Sequence, residues 1–290
     1  MSILTLGATN LDHTFRLKAP LRMGDSNPVH DAITLGGVGY NMASSLEKLT
    51  PDSHFLTAFD RPIHLKRATV IPLNQAPAYY AVMEEDMTVA FAAMDALETM
   101  DVTPFLPALK ALTPEDTLLM DLNYPEAFIE QVLEITSAKI IVEATSAHKI
   151  LKIKPHLKRL YGLKCNALEA MALTGTATIE AAIAELEQTA IPLILVTLNA
   201  EGAIVIHEDV THYQDHAPFL AHDLTGVGDA FMAGYLAAPE APVEGAMALS
   251  ALMARKRGAT DPDLNPKTWT QERKQRDVRI QTRRPRRPQQ

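Results

Sequence analysis

Near-continuous apolar runs of about seven residues punctuate this chain. Longer segments lie between them, in which apolar side chains recur every three or four positions. Ser2–Ala8 (SILTLGA), Thr117–Leu122 (TLLMDL), Ala138–Ala144 (AKIIVEA) and Pro192–Leu198 (PLILVTL) are runs of the first kind. Unbroken hydrophobicity of that length predicts parallel strands covered on both faces. Pro125–Ser137, Asn166–Gly175 and Thr178–Ala190 have helical spacing. The resulting βαβα alternation predicts an α/β fold with a doubly wound, mostly parallel sheet, helices on both faces, and a site at the carboxyl ends of the strands.

Two stretches break the rhythm. His13–Gly37 and Arg67–Phe91 alternate apolar and polar residues around turn formers, the signature of short hairpin strands. They predict a small antiparallel β lid over the ligand edge of the sheet, drawn from residues 13–35 and 66–92. Neither a repeat nor a linker appears before residue 270, so residues 1–270 read as one domain and 271–290 as a tail.

Composition narrows the class. With 290 residues and 47% apolar content the chain can bury a large core. No apolar run approaches the roughly 18 residues that span a bilayer, and the start MSILTLGATNLDH has no leader-like pattern, so a cytoplasmic protein is expected. The single cysteine, Cys165, leaves no internal disulfide and fits a reducing compartment. Charge is unevenly placed: residues 272–290 hold eight Lys/Arg and two Asp/Glu, leaving −14 on the rest. An acidic body argues against nucleic-acid binding. The basic, Pro-containing tail reads as disordered.

Chemistry concentrates in DLTGVGDAFMAGYLAA, Asp223–Ala238. Gly226 and Gly228 flank a tight turn that opens into an apolar helix, whose first N–H groups attract anions. A carboxylate there, Asp229, would repel a bound anion unless it takes a proton from a hydroxyl that attacks phosphorus. That suggests phosphoryl transfer to an alcohol, although an acidic residue in a first turn also suits the helix dipole by itself. GGVGYNMASSLEKL, Gly36–Leu49, is a second glycine turn entering an amphipathic helix. It has neither the dinucleotide-binding nor the P-loop spacing. Asp12 follows the first strand, where it could accept hydrogen bonds from sugar hydroxyls or cap a turn. In NALE, Asn166 and Glu169 could form a capping box or order water around magnesium.

Together these segments resemble the ribokinase-like (PfkB) family of carbohydrate and nucleoside kinases, over about Ile3–Pro266. GGVGYN resembles the family's first signature and DLTGVGD its second, D-T-x-G-A-G-D. TLNAEG, Thr197–Gly202, resembles the nucleotide loop T-L-G-x-x-G, with Asn199 in place of glycine. Asn visits the left-handed region more readily than most residues. Within the family, DSNP (Asp25–Pro28), EATSAHK (Glu143–Lys149) and LKCNALEAMALTG are similar to stretches of pseudouridine kinases.

The resemblance implies an ATP-dependent kinase with Asp229 as general base and the N–H groups of Gly226, Val227 and Gly228 as an anion hole. It implies Asp12, Gly37 and Asn41 on the substrate, with Asn10, Ser26 and Asn123 as further candidates. Asn166, Thr197 and Gly202 would line the ATP site, and Glu169 would hold the water shell of Mg2+. Asp223 and Thr225 match positions that bind a monovalent cation, K+, in some members. The implied acceptor is the 5′-hydroxyl of pseudouridine, with another sugar or nucleoside as an alternative and a ligand- or partner-binding fold without turnover as a second. Partners would be that small molecule, ATP and a second copy in a homodimer, with no membrane and no nucleic acid.

Three departures from the pattern stand out. HFLTAFDRPIHLKRATV passes almost directly from one strand to the next, as if ten to twenty residues were missing. Tyr40 stands where pseudouridine kinases have a basic residue. Glu143 and Thr145 replace Asp and Val of a DPVS stretch.

Overall fold

The apolar runs form the centre of a large sheet in a computed structural model that describes residues 2–84, 87–215, 224–256 and 258–285. Its parallel part comprises β1 (Ile3–Leu6), β4 (Ser53–Phe59), β5 (Ala68–Pro72), β8 (Thr117–Asp121), β9 (Lys139–Glu143), β10 (Gly162–Asn166) and β11 (Leu193–Thr197). Antiparallel strands β12 (Ala203–Ile206), β13 (Val210–Asp215) and β14 (Val278–Arg283) extend it at one side. The order is β14-β13-β12-β11-β10-β9-β8-β1-β4-β5.

Side chains alternate between two cores, as in β8, where Leu118 and Met120 join one and Leu119 the other. The first core is closed by α4 (Glu126–Ile135), α5 (Ala167–Thr174) and α6 (Ile179–Leu186), with the short α2 (Asp95–Glu98) and α3 (Leu106–Lys110) at its margin. The second is closed by α1 (Val38–Leu49), α7 (Val227–Ala237), α8 (Pro242–Ala254) and α9 (Pro266–Arg273). This is the doubly wound arrangement that the alternation predicts. Among the described residues, no single helix is long and apolar enough to cross a membrane.

The lid is a separate sheet of two hairpins. β2 (Asn10–Leu17) pairs antiparallel with β3 (Val29–Gly36), and β6 (Ala78–Met83) with β7 (Met87–Ala93). A parallel β2–β6 ladder joins the hairpins. Its second segment starts later than the periodicity suggests, because residues 68–72 form β5 and pair with β4 at the edge of the large sheet. Ile71 and Leu73 pack there against the first core. Alternation tells which residues of a short strand share a face, not which of two sheets receives it.

β4 and β5 run parallel, yet only Asp60–Arg67 connect them, without a helix. A parallel crossover normally takes a dozen or more residues. Two features secure the short path. Ile63 and Leu65 pack on Tyr40, Ala43 and Phe55. The Arg67 guanidinium donates to the carbonyls of Glu47 (2.7 Å), Thr50 (2.9 Å) and Ser53 (2.9 Å). A cation at the end of α1 thus satisfies carbonyls that the helix leaves open.

The basic tail departs from the disorder its composition suggests. Val278–Arg283 pairs with Val210–Asp215 along its full length. Arg276 and Arg255 both reach Glu272, at 2.8 and 2.7 Å. Arg283 makes a two-pronged bond to Glu187, one branch at 3.1 Å. Edge pairing needs backbone groups rather than apolar side chains; Glu187 of the acidic body receives Arg283, and Glu272 of the tail itself receives Arg276. Glu187 is fully buried, so Arg283→Ala is expected to lower stability by about 1–3 kcal/mol through loss of charge-assisted bonds to a buried carboxylate. Urea midpoints test this, and Arg279→Ala, at an exposed position of the same strand, should leave the midpoint unchanged.

Candidate active site

The strand order reverses around β1: the chain first builds outward through β4 and β5, then returns to β8 and builds the other way. Ligands of doubly wound sheets bind outside the carboxyl ends of strands at such a point. Here Asp121, the last residue of β8, closes the gap. Its Oδ2 accepts the N–H of Ala8 (2.8 Å) and of Gly39 (2.9 Å), and its Oδ1 accepts the N–H of Asn123 (3.0 Å). Burial pushes this carboxyl above the usual range, while the N–H bonds and Lys149 pull it back. The crossing of β1 and α1 is so close that a Cβ on Gly39 would lie 2.5 Å from the Gly7 Cα. Only glycine fits there.

The second glycine turn opens α7. Gly226 caps the helix at φ +74°, and a Cβ on it would meet the Ala259 Cα at 2.7 Å. Handedness and crowding both demand glycine. The Val227 N–H donates to the Leu224 carbonyl at 3.3 Å, and Ala230 begins the helical ladder on Gly226 at 2.9 Å. Of the expected anion hole, then, Val227 already has an acceptor. Among the described residues the N–H groups of Gly228 and Asp229 find no acceptor, the kind of orphan a helix start offers an anion.

Asp229 lies in that first turn, and its Oδ2 accepts the Asn41 Nδ2–H at 2.8 Å. Burial pushes its carboxyl up to about 6; Asn41 and Lys164 pull it down, while Asp121 and Asp12 push it further up. The other side-chain atom of Asn41, Oδ1, is buried without a partner. That acceptor is therefore open to a ligand hydroxyl.

Asn10 and Asp12 stand beside this pair at the start of β2. The Asn10 amide donates to the Asp12 carboxylate. A Cβ on Gly36 would fall 1.9 Å from Asp12 Oδ2, and one on Gly37 2.7 Å from Asn10 Oδ1. Burial raises Asp12 to about 6, against the pull of Asn10 and His13. The buried Asn123 accepts the Lys149 ammonium through its Oδ1, which leaves its NH2 to point elsewhere. Ser26 is not brought to this group: it is exposed in the loop joining β2 and β3, with its N–H on Asp25 Oδ1 at 2.7 Å.

Farther along the sheet edge, Asn166 and Thr197 are register partners of β10 and β11. Asn199 (φ +52°) and Gly202 (φ +92°) turn the chain back into β12, so Asn199 does take the left-handed conformation. Asn166 and Glu169 form the capping box, with Glu169 N–H on Asn166 Oδ1 at 2.9 Å and Asn166 N–H on Glu169 Oε2 at 2.7 Å. This cap engages one carboxylate oxygen of Glu169. Nearby, Glu143 Oε1 accepts Lys164 Nζ at 2.9 Å while its Oε2 is buried without a partner. Burial pushes Glu143 up to about 8 although Lys164 pulls the other way.

Hard oxygen donors of this kind suit Mg2+ held largely through water and phosphate. No His/Cys/Asp/Glu cage of three or more occurs among the described residues. Thr225 is exposed in the turn before α7, and Asp223 lies outside the described residues.

Asp121 and Lys164 are charged residues beside the site that motif reading does not name as candidates. Their signal is simple: Asp121 ends the apolar strand TLLMD, and Lys164 interrupts the apolar GLKC. A charge inside a buried strand needs a partner, and each of these has one.

Comparisons with known proteins bear on the family and the fold. A family model described as pfkB family carbohydrate kinase matches residues 82–266. The pseudouridine kinase of Escherichia coli (strain K12) is 23% identical over 257 residues, covering 80% of this chain and 82% of the relative. Ribokinase from Giardia lamblia superposes with a TM-score of 0.80 at 14% identity, over 93% of this chain and 99% of that one. Arabidopsis thaliana ribokinase, solved with ribose and ATP, gives 0.78 at 17% identity, over 94% and 98%.

Proposed function

The chain belongs to the pfkB family of carbohydrate kinases, and we propose that it transfers the γ-phosphoryl group of ATP to the 5′-hydroxyl of pseudouridine in the cytoplasm. One observation carries the reading. Asn41 of the first glycine signature holds Asp229 of the second, at the mouth of a helix N-terminus. A base, its orienting amide and an anion site are thus built from segments 188 residues apart.

In this reading Asn10, Asp12 and Gly37 meet the ribose hydroxyls, and the open Oδ1 of Asn41 accepts from one of them. Asp229 takes the proton of the attacking hydroxyl. The N–H groups at the start of α7 receive the charge on the phosphoryl group, and positioning with charge stabilisation carries this class of reaction. ATP lies along Asn166, Thr197 and Gly202. Mg2+ would be held through water by Glu169, with Glu143 beside it, and supplies neutralisation of phosphate charge.

The DSNP, EATSAHK and LKCNALEAMALTG stretches, together with the pseudouridine kinase relative, support the nucleoside over a simple sugar. Tyr40 is buried with its ring edge-on to Phe55 at 6.5 Å. We therefore assign base recognition to other residues. The panel to run is ADP release from Mg-ATP over pseudouridine, uridine, ribose and fructose 6-phosphate, with pseudouridine expected to be turned over best. Silence on all four overturns the kinase reading, and turnover of ribose alone overturns the nucleoside.

Asp229→Asn is expected to lower kcat by about 10²–10⁴-fold, the range for a lost general base, with ATP affinity kept. Since the base acts ionised and Asp229 lies at about 6, kcat/KM should fall as pH drops through about 6. A flat acid limb would disprove the assignment.

We further propose a homodimer through the lid's outer face. Ile33, His13, Tyr80 and Phe91 form one cross-strand row there. Ile33 and Phe91 are 54% and 60% exposed. Light scattering should give twice the chain mass, falling to one chain mass in Phe91→Asp; a monomeric wild type sinks this proposal.

A further inference from the structure

A buried cation behind Asp229 has no part in the reaction described above. Lys164 is 5% exposed at its side chain, and its Nζ meets Glu143 Oε1 at 2.9 Å. A Cβ on Gly228 would lie 2.8 Å from the same Nζ. The ammonium is therefore lodged against the first turn of α7, immediately before Asp229. This is an unfavourable place for a cation, since the turn is the positive end of the helix dipole and burial removes water. Its bond to Glu143 does not account for it as a stability device. Buried ion pairs contribute little net stability, and this one leaves Glu143 Oε2 without a partner. An arrangement costly at rest points to a charge needed by its neighbours.

The neighbours of Asp229 make the need specific. α1 presents Asn41, β2 presents Asp12, β8 presents Asp121 and β10 presents Lys164. α8 contributes Ser250, whose hydroxyl donates to the Val227 carbonyl at 3.2 Å rather than to the carboxylate. Two carboxylates and burial thus oppose ionisation of Asp229, while one amide and one cation favour it; Glu143, on β9, also repels it.

We propose that Lys164 is a positioning residue: its ammonium, held by Glu143 against the underside of Gly228, keeps Asp229 ionised near neutral pH and ready to accept a proton. The role in turnover rests on the phosphotransfer reading; the electrostatic coupling to Asp229 does not.

The test compares wild type with Glu143→Gln/Lys164→Met, which removes the ammonium without stranding a buried carboxylate. The Asp229 carboxyl is titrated by carbon-13 NMR in the unliganded protein, its signal assigned with Asp229→Asn. Its midpoint is expected to rise by about 1 unit, the lower end for loss of a nearby opposite charge. The acid limb of kcat/KM should move up equally, with KM for ATP unchanged. A folded double variant with an unshifted Asp229 midpoint overturns the proposal.

Should circular dichroism show that variant unfolded, Gly228→Ala serves instead. Its methyl displaces the ammonium without changing any charge, and an unshifted midpoint there also overturns the proposal. Absence of turnover by the wild type counts against the kinase reading alone, because the titration still decides the role of Lys164.

Discussion

The arrangement of the crevice depends on one buried carboxylate. Asp121 takes backbone N–H groups from the exit of β1, the entry of α1 and its own strand end. Each of those donors would otherwise be a buried orphan, and the carboxylate alone would be costly in a dry setting. Together they satisfy one another at the point where the sheet changes its direction of growth. The fixed path of β1 then carries Asn10 and Asp12 to the floor, and the fixed start of α1 carries Asn41 to Asp229.

The two glycine signatures use the same physical device. In each, absence of a side chain lets backbone cross backbone, at Gly7–Gly39 and at Gly226–Ala259. The close crossings place helix N-termini at the sheet edge, where orphan N–H groups and acidic side chains share a small space. Burial raises Asp12 and Asp229 alike to about 6. The crevice thus holds two carboxylates that burial shifts toward neutral pH.

Much of this was legible in the chain and some was not, for definite reasons. Continuous apolar runs revealed β1, β8, β9 and β11, because a strand buried on both faces has no polar positions to spare. The glycine signatures were legible because their backbone geometry admits no other residue. Pattern alone puts β5 in the lid, since its local alternation is the same whichever sheet it joins. β14 was hidden because an edge strand can be held by main-chain bonds and by Arg–Glu pairs distant in sequence. Asp121 and Lys164 went unnoticed because a single polar residue in an apolar run acquires meaning only when its partner, 113 residues away for Ala8 and 21 for Glu143, is known.

The last strand has a consequence for how the chain is made. β13 is synthesised well before β14, which comes from the C-terminal end of the chain. Until then its outer row of N–H and C=O groups stands open, a template for pairing with another chain. Vectorial synthesis therefore leaves β13 uncovered while α7, α8 and α9 are laid down, and covers it in a late step. A nascent chain stalled before Val278 would present a sticky margin. β14 takes over that margin with Arg279 and Arg283 along it, charges that discourage further pairing.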